Sequence, residues 1–188
     1  IEAFAAEHGI DFYPAGTGIG HQVMVSMGYV VPGSLVVASD SHANMYGALG
    51  ALGTPVVRTD AAAVWATGEF WWQIPRTVEV VLEGSLPPGS TGKDVIVALC
   101  GLYSREEVLN AVVEFTGPGV ASLSMDARFS IANMTTEWGA LAGWFPADTV
   151  TLAYLRGRKE KLEALGTPRI ADADLAAWET RPVVPDAD

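Results

Sequence analysis

The sequence holds one cysteine, no apolar run longer than six residues, and no lysine or arginine before Arg58. Each scarcity excludes something. One thiol, Cys100, cannot form an internal disulfide, and an iron–sulfur cluster needs several thiolates. Set in the apolar run V-I-V-A-L-C at 95–100, it reads as a small core hydrophobe. Runs of six fall far short of the ~18 residues that a membrane-spanning helix requires. The shortage of positive charge leaves a formal net charge of −11, a sign that disfavours nucleic acid and anionic membrane surfaces as partners. Five basic residues precede position 156. A polyanionic ligand calls for several arginines, so most of such a clamp is expected outside these 188 residues.

What is present is a foldable chain. Hydrophobic residues make up 49%, which is incompatible with a disordered polar segment. The first residues, I-E-A-F-A-A-E-H-G, have helical spacing with no initiator methionine, signal peptide or transit peptide, and read as the interior of a longer protein. Expected helices follow at 21–27, from Thr59 or Asp60 through 72, at 93–101, from Ser104 at the capping box S-R-E-E, and over 126–139. Expected strands lie at 10–13, 34–38, 77–84 and 112–115. Strands alternating with helices indicate a layered α/β architecture. A boundary near Pro75 divides residues 1–75 from 76–158. Residues 159–188, charged and proline-containing, read as the end of a helix and a poorly packed tail.

Two glycine-rich stretches fail as phosphate loops. G-T-G-I-G-H at 16–21 lacks the G-x-G-x-x-G spacing. G-S-T-G-K-D at 89–94 has Pro87 in place of the first glycine and Asp94 where a hydroxyl would reach magnesium. The stretch A-S-D-S-H at 38–42 carries more. It ends an apolar strand, where side chains of α/β proteins face the ligand crevice. Asp40 and His42 alternate and can share one side, with Ser41 between them. An Asx-type turn with a surface histidine is the plainer reading of the same residues. His21 opens a helix, and a histidine beside a carboxylate is a competent proton donor. Asn133 and Glu137, four apart on the 126–139 helix, share a face among Ala132, Met134 and Trp138, which suits a partly buried carboxylate, with a solvated glutamate as the plainer reading. His8 is assigned to structure.

Taken in order, G-I-G-H-Q-V-M-V, P-G-S-L-V-V-A-S-D-S-H, Y-G-A-L-G-A-L-G-T and N-M-T-T-E-W-G-A-L-A-G resemble the aconitase superfamily over about residues 1–158. The segments V-V-R-T-D-A-A-A-V-W-A-T-G-E-F-W-W-Q-I-P and G-K-D-V-I-V-A-L-C-G-L are similar to a fungal, mitochondrial branch acting in lysine biosynthesis. The resemblance implies layered α/β/α domains, the first one partial and the second complete. It implies an iron–sulfur hydro-lyase that dehydrates and rehydrates a hydroxy-tricarboxylate, with a [4Fe–4S] cluster whose open iron is a Lewis acid for the departing hydroxyl. By the same resemblance His21 pairs with Asp40, His42 pairs with Glu137 near that hydroxyl, Ser41 contacts a substrate carboxylate, and Asn133 supports the site. Asn44 stays unassigned.

The cluster cysteines, the substrate arginines and a base serine have no counterparts here. The expectation is a fragment with no metal ligands of its own, no bound cluster and no turnover by itself. Its partners would be the tricarboxylate and the remaining domains of the same chain, in the mitochondrial matrix. The competing expectation is a non-catalytic binding or interaction module, with Trp65, Trp71 and Trp72 as its apolar surface.

Overall fold

The computed structural model describes residues 1–185. Helices α1 (Glu2–His8) and α2 (Gly20–Ser26) lead into strand β1 (Leu35–Ala38), which pairs in parallel with β2 (Leu52–Pro55), Leu35 opposite Leu52 and Ala38 opposite Pro55. A parallel pair needs a crossover of a dozen residues or more. Residues 39–51 supply it as a 3-10 helix, Ala43–Leu49, in which every residue is buried. After α3 (Arg58–Thr67) a second parallel sheet forms from β3 (Thr77–Val81), β4 (Val112–Thr116) and β5 (Ala142–Trp144), with β4 in the centre. Helices α4 (Gly92–Leu102) and α5 (Met125–Met134) lie in its crossovers, and α6 (Thr149–Ala164) and α7 (Asp172–Thr180) close the chain. The fold is α/β with parallel strands in both sheets.

One contiguous core joins the two sheets. Met45, Tyr46 and Leu49 of the 3-10 helix belong to the same buried cluster as Phe115, Ile131 and Phe145. Phe115 stacks on Phe145 with centroids 4.7 Å apart. Burying each such side chain contributes about 1.5–3 kcal/mol. The seam is narrow because it is made of bare backbone. Gly47 lies directly against Gly143, where a Cβ would overlap the Gly143 carbonyl oxygen, and the Phe145 amide donates to the Gly47 carbonyl at 2.9 Å.

Several expected elements differ. Residues 10–13 form no strand, and Tyr13 is held instead by its hydroxyl on Tyr29. No helix starts at Ser104: the Glu107 carboxylate accepts from the Arg105 amide at 2.7 Å, and Glu106 turns to φ 64. Helix α3 begins at Arg58 behind an uncapped Val57 and stops at Gly68, φ 75, short of Trp71 and Trp72. Helix α5 ends at Met134, and tight turns carry the chain through residues 135–138. Residues 159–180 are packed rather than loose, with Leu162, Ile170 and Leu175 buried. No helix among the described residues is long and apolar enough to cross a membrane.

Candidate active site

At the carboxyl end of β1 the chain reverses through Ser39–Ser41. Asp40 makes the reversal and meets His21 at once. Its Oδ1 accepts the His42 amide at 2.7 Å, an Asx turn. Its Oδ2 lies 3.5 Å from Nδ1 of His21, the second residue of α2. The turn and the pairing are therefore compatible readings of one side chain.

The same turn sends His42 toward the end of α5. Its Nδ1 is 3.3 Å from the Asn133 carbonyl oxygen and its Nε2 is 3.6 Å from Oε1 of Glu137. The latter is an ion-pair distance rather than a hydrogen bond. Both ring nitrogens of His42 face acceptors, so only the doubly protonated ring can donate to both. The rings of His21 and His42 stand 6.1 Å apart, tilted by 40°. The structure thus brings together His21, Asp40, His42, Asn133 and Glu137 from three segments of chain.

Two placements differ from expectation. The Glu137 side chain is 59% exposed rather than partly buried, because α5 has already ended and the turn carries it to the rim. Its neighbour Trp138 fixes that turn by donating to the Tyr103 carbonyl at 2.7 Å. Asn133 meets His42 with its main-chain carbonyl and also lines an adjoining cavity. Ser41 is exposed beside the pairs, and its hydroxyl makes no hydrogen bond to the described residues.

A supporting pair was not assigned from sequence. Asn44, fully buried, donates to Thr135 Oγ1 at 2.9 Å and to the Ala140 carbonyl at 3.2 Å. Thr135 passes its own proton to the Ala132 carbonyl at 2.7 Å. These bonds tie the residues after His42 to those after Asn133 and set the spacing of the His42–Glu137 couple. The available signal was an asparagine inside the apolar, glycine-rich run A-N-M-Y-G-A-L-G, since a buried amide needs partners. Beside it, burial and then the Asp40 charge push the Tyr46 hydroxyl up to about 12, keeping it protonated.

No group of three or more His, Cys, Asp or Glu side chains suited to a metal ion lies among the described residues. Cys100 sits partly buried on α4, its thiol raised above the ordinary 9.0 chiefly by burial, with the Glu137 charge adding to it. The donor set of this chain does not fit an iron–sulfur cluster, which takes several thiolates. The histidine–carboxylate couples, with partly exposed carboxylates, do suit proton transfer.

The model of the Aconitase family (aconitate hydratase) matches residues 1–186, and the chain belongs to that family. Among its curated relatives is a protein named "Homoaconitase, mitochondrial" from Mycosarcoma maydis, 64% identical over 165 residues that make up 88% of this chain and 22% of the relative. The protein of the same name from Aspergillus oryzae is 65% identical over 84% of this chain and 21% of its own length. That from Eremothecium gossypii is 57% identical over 100% of this chain and 28% of its own length. The chain spans about a quarter of the length of the curated relatives it matches.

Proposed function

We propose that this chain is the proton-handling quarter of a mitochondrial homoaconitase, a hydro-lyase interconverting homocitrate, homo-cis-aconitate and homoisocitrate in lysine biosynthesis. The observation that carries the reading is the convergence of two imidazole–carboxylate couples, with rings 6.1 Å apart. In its doubly protonated form His42 is the donor that delivers a proton from Nε2 to a departing hydroxyl, with the Glu137 carboxylate favouring the charged ring and water at the exposed Glu137 restoring the proton to the imidazole. The Asn133 carbonyl fixes the ring through Nδ1. Asp40 orients His21, which stands beside the same reacting region. Ser41, free and exposed, is placed to contact a substrate carboxylate. A positioned proton donor is worth roughly 10²–10⁴-fold in rate.

The residues for a [4Fe–4S] cluster are proposed to come from other parts of the longer protein, as are the arginines for the substrate carboxylates. In this reading residues 1–75 end one domain, residues 76–158 form the next, and residues 159–188 follow it. The test uses the longer protein. Hydration of homo-cis-aconitate should fall roughly 10²–10⁴-fold in His42→Asn and in Glu137→Gln with substrate affinity nearly kept. Unchanged turnover in both would overturn the assignment. A preference for cis-aconitate or isopropylmalate over the homologous acid would move the protein to aconitase or to 3-isopropylmalate dehydratase within the same family.

A further inference from the structure

Beside the two couples lies a cavity of about 580 Å³ between α2, α4, α5 and α6. Its charge is unusual for this protein. Lys93 from the start of α4 and Arg158 from α6 both line it, in a chain with 11 basic against 22 acidic residues. Asp126 is its one carboxylate wall, and it is exposed. Gln22 and Tyr154 add neutral donors. Arg158 is only partly used: it donates to the Ser26 carbonyl, while its Nε is buried with no partner among the described residues. Two cations and two neutral donors spread over three helices suit a ligand whose negative groups are separated, rather than one compact ion. The volume is that of a small-ligand site, which runs about 300–1,000 Å³.

We propose that this cavity is a second anion site, taking a small acid with two or more carboxylates, distinct from the His21–Asp40 and His42–Glu137 couples. A guanidinium can hold one carboxylate in fork geometry while an ammonium serves a second as a point charge. The cavity adjoins the couples through two residues. Asn133 lines it and contacts His42 with its carbonyl oxygen, and Met45 lines it from the 3-10 helix that follows His42. An acid bound there presses on the segments that set the position of His42.

The test is a titration of the 188-residue chain with propane-1,2,3-tricarboxylate, with inorganic phosphate and chloride at matched ionic strength as controls. Binding is read by calorimetry and by the imidazole proton signals of His42. Saturable binding of the tricarboxylate, weakened tenfold or more in Arg158→Met and in Lys93→Met, is expected. Asp126→Asn should tighten it, and Asp40→Asn should leave it unchanged. Circular dichroism of each variant separates lost binding from lost fold. Binding that survives both cation replacements, or that chloride or phosphate matches, is an adventitious ion only and overturns the proposal. Binding lost in Asp40→Asn or His42→Asn but kept in Arg158→Met places the acid at the couples instead and also overturns it. None of these readings depends on turnover, so failure of the hydro-lyase assignment leaves the outcome separate.

Discussion

Two ion-pair systems in this molecule are built for opposite ends. Arg128 is completely buried. It meets Asp148 twice, at 2.8 and 2.7 Å, and also donates to Thr151 Oγ1 at 3.3 Å and to the Val120 carbonyl at 2.9 Å. Asp148 in turn accepts the Val150 and Thr151 amides and caps α6. Burial alone would push the Asp148 carboxyl up; hydrogen bonding and charge from Arg128, with those two amides, outweigh it and hold the carboxyl below its ordinary 3.8. The His21–Asp40 and His42–Glu137 couples are longer, at 3.5 and 3.6 Å, and their carboxylates are 39% and 59% exposed. The first system has little freedom to exchange a proton. The second stands in reach of water and ligand, with slack that a bound substrate can take up. Short, bidentate pairs join helices, and looser, more exposed ones are left for chemistry.

The contrast makes graded predictions. Arg128→Met strands the Asp148 carboxylate, and loss of about 3–5 kcal/mol is expected, read as a lower urea midpoint at pH 7. A loss below about 1 kcal/mol would show that the buried pair does not join α5 to α6. Asn44→Ala removes the amide donor to Thr135 Oγ1 and leaves the Ala140 carbonyl without its side-chain donor, costing about 1–3 kcal/mol. It should also broaden the His42 ring signals, a change that a core defect remote from α5 would not produce. Acid should act through Asp148. Its folded carboxyl titrates below 3.8, so its contribution is present above the unfolded value and lost as pH falls through the lower folded one. Midpoints of Asp148→Asn and wild type should therefore converge as pH drops below about 4, with no such convergence from pH 5 to 7. Asp40→Asn should change stability least, by under about 1 kcal/mol, because an asparagine carbonyl still accepts the His42 amide. If it destabilises as much as Arg128→Met, the two systems are not different in kind.

The legible part of the site was local. Asp40 reaches His42 by an i to i+2 bond, so alternation along a strand end was enough to place both on one side. Family motifs supplied the distant mates His21 and Glu137. Asn44 was not legible, because its partners lie 91 and 96 residues away and nothing near it names them. The 3-10 helix at 43–49 also escaped notice. A fully buried run of small and apolar residues has no polar face, so no helical period shows. Ser104–Glu107 misled for the converse reason, since the sequence of a capping box is present while its glutamate is taken by the Arg105 amide. Three of the five parallel strands, in contrast, were read from short apolar runs bounded by turns, while Leu52–Pro55, with its glycine and proline, and the three-residue Ala142–Trp144 were missed.

The bare-backbone contact of Gly47 with Gly143 also sets a timetable. These residues are 143 − 47 = 96 positions apart, and at ~5–20 residues per second a ribosome takes roughly 5–19 s to pass from one to the other. Throughout that interval Met45, Tyr46 and Leu49 have left translation without the surface that later covers them. A nascent chain halted between these two points should therefore be a chaperone client, and release past residue 145 should end that dependence.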